Sequence, residues 1–405
     1  MKWYPVTALA LLSVTDAIAG TALTVLAPDI TRALGVSAGA FASLLAVQLV
    51  AAAVAPVLVA SVVGGRAIRA VVAITTGFVW SVCIAAMGFV GSMWMLGALI
   101  LLNGLANGSI SALHTPLLTD LYPKEQRGRV LALYGAGGPA ASVLGPLAVA
   151  GLTGWLGLDW RVVFFVIGAV AIAACVVAMR LRDPGVGARE ETGPGSPDDS
   201  FRTLFRIPTV RRMLAGFAVF GMMLLPGATF MAIHLEQRWG LQAGERGLFM
   251  TAYALGAVVV LLTLGRKLDG LFQSDPRKVV KLCAAIVATS AGGIALGAAA
   301  PFLALCLAAF FLAMMATALI VPVVALVGLS VATPAQRGHF AAVFTVTLAG
   351  GGLLGAGLLM LAEKIFGGSG AIAAVAVPGV LAACVIISAV RTIRADLGRG
   401  VPAHD

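Results

Sequence analysis

Residues 9–30 read LALLSVTDAIAGTALTVLAPDI. Asp16 is the only Asp or Glu placed well inside an apolar run long enough to cross a bilayer, since a transmembrane helix needs about 20 consecutive apolar residues. The run is continuous rather than alternating, which reads as helix and not as barrel strand. Lipid-facing backbone must satisfy its own hydrogen bonds, so such a segment is helical. A charge at the bilayer centre costs roughly 2.5–3.5 kcal/mol on insertion scales, so an acid kept there marks a cavity or a partner.

The rest of the chain repeats this pattern. Of 405 residues, 60% are hydrophobic and 11% charged, against about 25% charged in a soluble domain. Mean hydropathy is +1.03. Twelve spans are expected, at 6–29, 40–63, 70–91, 94–118, 129–153, 161–181, 213–235, 246–265, 279–300, 302–327, 339–362 and 371–391. With the N-terminus inside, 22 of the 27 Lys and Arg fall on the cytoplasmic side. That bias sets the orientation and puts both termini in the cytoplasm. The net charge of +10 reads as attraction to anionic cytoplasmic lipid. Nucleic acid is not an expected partner, because the basic residues are scattered over many short loops.

Lys2 followed by an apolar run and Ala17-Ile18-Ala19 has the outline of a cleaved secretory signal. The apolar stretch continues to Ala27, too long for an ordinary signal, so it is read as the first span. The five cysteines fall inside spans without CxxC spacing, so neither a disulfide framework nor a metal site is expected.

The hydrophilic stretch 182–212 is rich in Pro, Gly and charge and reads as a flexible cytoplasmic linker. It divides the chain into six-helix bundles at 1–181 and 213–391, with 392–405 as a cytoplasmic tail. Gln126-Arg127-Gly128 after span four recurs as Gln336-Arg337-Gly338 after span ten. Matched positions support two parallel repeats. The expected fold class is all-α integral membrane, with twelve helices in two pseudo-symmetric six-helix bundles.

Several segments carry a resemblance. Ala27-Pro28-Asp29-Ile30 with Leu34-Gly35-Val36-Ser37, the loop Pro123–Gly128, Asp159-Trp160-Arg161 with Phe164-Phe165, and Gly145-Pro146 in span five resemble the major facilitator superfamily. The likeness runs over nearly the whole chain. It implies a secondary transporter and, from the imperfect antiporter motif at Gly145-Pro146, a proton-coupled exporter. The sequence departs from the family at two places. Ser61–Arg69 keeps Gly and Arg but lacks the usual acid. Asn103 stands where proton-driven exporters commonly carry an arginine.

Helical spacing groups the polar residues. Ser13, Asp16, Gly20 and Thr24 share one face of span one. Asn103, Asn107, Ser111 and His114 share one face of span four. Asp16 is the candidate proton-coupling residue. The others, with Thr229 of span seven, are candidate cavity-lining residues, and His114 has the side chain suited to protons near neutral pH. The resemblance implies a cytoplasmic gate of Asp120, Arg127, Arg129, Asp269 and Arg337. Gly145, Pro146, Gly351 and Gly355 are candidates for close helix packing across the two halves. Gly350-x-Gly352-x-x-Gly355 matches a dinucleotide fingerprint only formally, since no strand precedes it.

The expected activity is therefore transport by alternating access: proton-coupled antiport that exports a small amphipathic or hydrophobic compound. The runner-up is a proton-coupled uptake symporter for a small metabolite. A polytopic enzyme would need a motif such as HExxH or a P-loop, and neither occurs. A channel would need a filter-like sequence or a charged ring. No cofactor is expected. The partners are a small-molecule substrate, protons and the bilayer, with the chain acting as a monomer. The resemblance places it in a bacterial inner membrane.

Overall fold

The computed structural model describes residues 3–63, 66–185, 204–331 and 337–399. The described residues are helical, without strands, and twelve helical stretches are long and apolar enough to span a membrane. In chain order the helices are α1 (Tyr4–Val25), α2 (Ala27–Leu34), α3 (Ala38–Val63), α4 (Arg69–Met87), α5 (Met93–Asn107), α6 (Ser109–Leu121), α7 (Lys124–Gly135) and α8 (Gly137–Ala150). They continue as α9 (Trp160–Ala178), α10 (Pro208–Trp239), α11 (Ala243–Ser274), α12 (Pro276–Ala299), α13 (Leu303–Thr317), α14 (Ile320–Val331), α15 (Arg337–Ser388) and α16 (Ile393–Arg399).

Proline explains several departures from the expected spans. Proline has no N–H, so the carbonyl four residues earlier loses its partner. Pro28, Pro139 and Pro322 orphan the carbonyls of Thr24, Gly135 and Ala318, and the α1/α2, α7/α8 and α13/α14 breaks fall at those places. The first span thus ends at Val25 rather than residue 29. Span four breaks at Gly108 without such a proline. One π-helical turn, Gly151–Trp155, extends α8.

The loop expected after residue 362 is helical: α15 runs for 52 residues through spans 343–366 and 374–391. It is not a straight rod. Phe344 stacks edge-on against Phe217 at 5.2 Å between centroids, and Ile386 packs on the adjacent Gly216. A straight helix would separate residues 344 and 386 by about 60 Å. The chain therefore reverses between the two spans.

The described residues form two compact units. The first holds residues up to Gly185 together with Leu235–Ala252. In it α4 packs between α5 and α9, α3 lies on α5, and α1 lies on α8 and α9. Trp80, Phe41 and Phe164 fill its core. The outward faces are apolar, with Leu58 52%, Val71 62% and Trp94 87% exposed, as lipid-facing surface requires.

In the second unit α12 packs on α13 and α15. The stretch set aside as tail begins with α16, whose Ile393 is fully buried. Asp396 of α16 accepts hydrogen bonds from the Thr209 backbone N–H (2.9 Å) and hydroxyl (2.7 Å) at the start of α10. Residues 186–203 of the expected linker lie outside the described residues.

Candidate functional site

Asp16 sits mid-helix in α1, half-buried, and faces α5. The Asn107 side-chain amide donates to both carboxylate oxygens at 3.2 Å. Beside this pair is a cavity of about 90 Å³ lined by Asp16, Gly20, Gln48, Ile84, Asn103 and Asn107 among others. That is room for a few water molecules at ~30 Å³ each. The Gln48 amide donates to Asn103 Oδ1 at 2.7 Å. The lining contains one carboxylate, three amides and no cationic side chain.

The two sequence stripes thus meet in part. Asp16, Gly20, Asn103 and Asn107 line one cavity, whereas Thr24 bonds back to the carbonyl of Gly20 at 3.3 Å. Gln48 was missed, although it is the only amide in an otherwise apolar span and could have been found by the argument that found Asp16. The Ser111 side chain lies outside the described set. Thr229 is 1% exposed inside the second unit.

His114 does not line this cavity. It is 1% exposed, and its Nδ1 lies 2.9 Å from the hydroxyl of Tyr134 at the end of α7. The rings meet edge-on at 5.8 Å. The same hydroxyl interacts with Ser13 and lies within electrostatic range of Asp16. Tyr134 therefore joins the helix-one and helix-four stripes, and neither stripe's spacing points to it.

At the N-terminal end of α1, Arg69 is the centre of a buried ion cluster. Its Nη1 donates to Asp120 at 2.6 Å, and its Nη2 donates to Asp183 at 2.8 Å and to the carbonyl of Gly185 at 2.8 Å. The Arg69 backbone N–H reaches Asp183 at 2.7 Å. All three side chains are at most 6% exposed. Burial pushes the Asp183 carboxyl up, but the hydrogen bonds from Arg69 and Gly185 and the Arg69 charge outweigh it. The group is held below its ordinary value. The acid absent from the Ser61–Arg69 loop is thus supplied from α6 and from the chain after α9.

The other expected gate residues are placed differently. Arg129 lies over the Trp3 ring at 5.1 Å. Arg127 donates from Nε to the carbonyl of Tyr122 at 3.3 Å. The side chains of Asp269 and Arg337 are outside the described set.

At the opposite end of the first unit, Arg246 is 1% exposed. It donates to Asp29 at 2.5 Å, to the carbonyl of Leu241 at 2.6 Å and to that of Val25 at 3.2 Å. Arg32 pairs with Glu236 beside it. Sequence reading took Arg246 only as topology charge.

The packing residues divide: Pro146 meets a helix of the other sequence half, whereas the glycines meet helices of their own. A side chain on Gly145 would strike Thr21 of α1, and the carbonyl of Pro146 abuts Gly247. Gly351 and Gly355 touch the α10 backbone at Ala218 and Met222. They were expected to pack across the two halves; these contacts join α15 to the first helix of its own half.

The Major Facilitator Superfamily model matches residues 9–356. A probable triacylglyceride transporter of Mycobacterium leprae is 32% identical over 124 residues, which are 30% of this chain and 24% of that protein's length. A crystal structure of a bacterial homologue of the human lysosomal transporter Spinster, inward-facing and unoccupied, superposes with a TM-score of 0.79 at 19% identity, covering 97% of this chain and 98% of that one. The nucleoside transporter NupG superposes with a TM-score of 0.72 at 14% identity over 97% and 99% of the two chains. The POT family transporter PepTSo gives 0.74 at 12% over 98% and 99%. At these identities the structural likeness speaks for the fold. The family's members are transporters rather than enzymes, and the family match covers most of the sequence: this chain belongs to the major facilitator superfamily.

Proposed function

We propose that this protein is a proton-coupled exporter of a small amphipathic or hydrophobic compound, and that Asp16 takes up and releases the coupling proton. One observation carries the reading. A lone carboxylate borders a small polar cavity inside a membrane-spanning bundle, with amides and no cation around it. Dehydrating a carboxylate in that setting is costly, whereas dehydrating the protonated acid is not. Closing the cavity then requires Asp16 either to be protonated or to have its carboxylate covered by a bound compound in place of water. Alternation between those two states is antiport. The same lining supports neutral or cationic compounds over anions. The name of the mycobacterial relative supports the hydrophobic end of that range.

In this reading the halves 1–181 and 213–391 carry out alternating access, with both termini cytoplasmic. The gate and cavity roles of the remaining polar residues belong to the same proposal.

The test starts with a thermal-shift screen of amphipathic compounds on purified protein. The compound that stabilises is then followed in proteoliposomes under an imposed pH gradient. Asp16→Asn is expected to lower gradient-driven accumulation at least ten-fold while leaving gradient-free exchange of the compound intact. Full gradient-driven transport by Asp16→Asn would refute the assignment. Inside-out vesicles with an acidic lumen accumulate the compound if the protein is an exporter. Accumulation only under the reverse gradient would make it a symporter.

A further inference from the structure

The cavity accounts for Asp16, Asn107, Asn103 and Gln48, but it leaves a second polar group in the same unit unused. Ser13, Tyr134 and His114 come from α1, α7 and α6, three helices that touch one another. They converge although their residues are far apart in sequence. Ser13 lies one helical turn from Asp16 on the same face, toward the N-terminal end of α1. His114 lies two turns beyond Asn107 in the chain direction of α6. Since Asn107 holds Asp16, and Tyr134 meets both Ser13 and His114, the polar groups run on from Asp16 toward the end of the unit that carries Arg69 and Asp120.

The chemistry of each member suits a proton path. A phenol hydroxyl both donates and accepts, and a neutral imidazole accepts at one ring nitrogen while donating from the other. A buried histidine on an apolar helix has no packing reason to replace leucine, and it must be hydrogen-bonded. Here its Nδ1 is met by the Tyr134 hydroxyl at 2.9 Å, with the hydroxyl donating and Nδ1 accepting in the tautomer that carries its proton on Nε2. Tyr134 is placed by the break at Ala136, which ends α7 one residue after it.

We propose that Tyr134 relays the coupling proton between Asp16 and His114, so that His114 is the proton's second station in the first unit. The inference rests on the reading of Asp16 as the proton-coupling residue. In the releasing direction, protonated Asp16 passes its proton through a bridging water to the Tyr134 oxygen. Tyr134 gives its own hydroxyl proton to His114 Nδ1 in the same event. The products are an Asp16 carboxylate, a neutral tyrosine and a His114 imidazolium, and the charge is conserved. Ser13 orients the hydroxyl.

The experiment uses the full chain in proteoliposomes and needs no substrate. A laser pulse releases protons from a caged acid, and time-resolved infrared spectroscopy follows the carbonyl stretch of protonated Asp16, identified as the band missing in Asp16→Asn. Tyr134→Phe and His114→Gln are expected to keep the equilibrium amplitude of that band and to slow its rise at least ten-fold. Tyr134→His, which restores a proton-carrying ring, is expected to recover the rate in part. Wild-type kinetics in both variants overturn the relay and leave the role of Asp16 standing. Loss of the equilibrium amplitude in Tyr134→Phe also overturns it, because Tyr134 then acts on the stability of the acid rather than on transfer. A wild-type protein with no Asp16-dependent band removes the coupling reading and the relay together.

Discussion

Asp16 shows how far a single residue can be read from its neighbours in sequence. Its isolation in an apolar run marks it, and the intervals of three and four place Ser13 and Gly20 beside it. Its partner is another matter. Asn107, Gln48 and Tyr134 arrive from three other helices, and no local spacing distinguishes Asn107 from Asn103 as the amide that holds the acid. Arg69 gives the same lesson with a sharper energetic consequence. Its two carboxylates are 51 and 114 residues away. Replacing Arg69 by Ala leaves both buried without their cation, which costs about 3–5 kcal/mol for a broken buried pair and should appear as a lower melting temperature in detergent. The pH dependence follows from Asp183. Its carboxyl is depressed in the folded state, so its contribution is complete above the unfolded value of about 3.9. It is lost as pH falls through the lower folded value. The melting temperature of the wild type is expected to drop as pH falls below about 4, and Asp183→Asn to flatten that part of the curve. An unchanged slope would remove Asp183 from the account.

At the level of elements, proline and glycine decide what hydropathy cannot. Hydropathy finds each crossing but not the interruptions within it. Pro28, Pro139 and Pro322 set three of those, each by silencing one backbone donor. Glycine sets helix approach. A side chain on Gly104 would stand 2.5 Å from the carbonyl of Gln48, and one on Gly108 would meet that of Ala52. This contact of α5 with α3 brings Gln48 to Asn103. Gly108→Leu must push the helices apart, and overpacking of this kind costs about 1–3 kcal/mol. Thermal unfolding should therefore fall for Gly108→Leu and stay at or above the wild-type value for Gly128→Ala, where a side chain meets nothing within 4 Å and alanine favours the helix. Equal melting temperatures for the two variants would contradict the packing argument.

Across the whole molecule, each half closes the start of its third helix with an ion pair from the chain after its sixth, and the polarity is reversed between them. The first half sets Arg69 on α4 against Asp183 after α9. The second sets Asp275, the N-cap of α12, against Arg394 of α16 at 3.2 Å. An internal repeat thus preserves the position of the contact while exchanging which partner carries the charge. The uneven distribution of Lys and Arg predicts the orientation of the molecule. Leu156→Cys, 67% exposed between the fifth and sixth spans, should react with a membrane-impermeant maleimide in intact cells. Glu125→Cys should react only after permeabilisation. The native cysteines all lie in apolar spans, which keeps the background low. Labelling in the opposite order would invert the topology.

The amino-acid sequence by itself determined that this is a helical membrane protein of twelve spans in two related halves, because lipid allows few solutions to backbone hydrogen bonding and the apolar runs are long. It also marked Asp16 and the two polar stripes, because helical periodicity is local. Tertiary structure alone decided that Asn107 holds Asp16, that Tyr134 joins Ser13 to His114, and that Arg69 gathers Asp120 and Asp183. Those contacts depend on how closely and in what rotation separate helices pack, which glycine and proline control through sterics that no periodicity records.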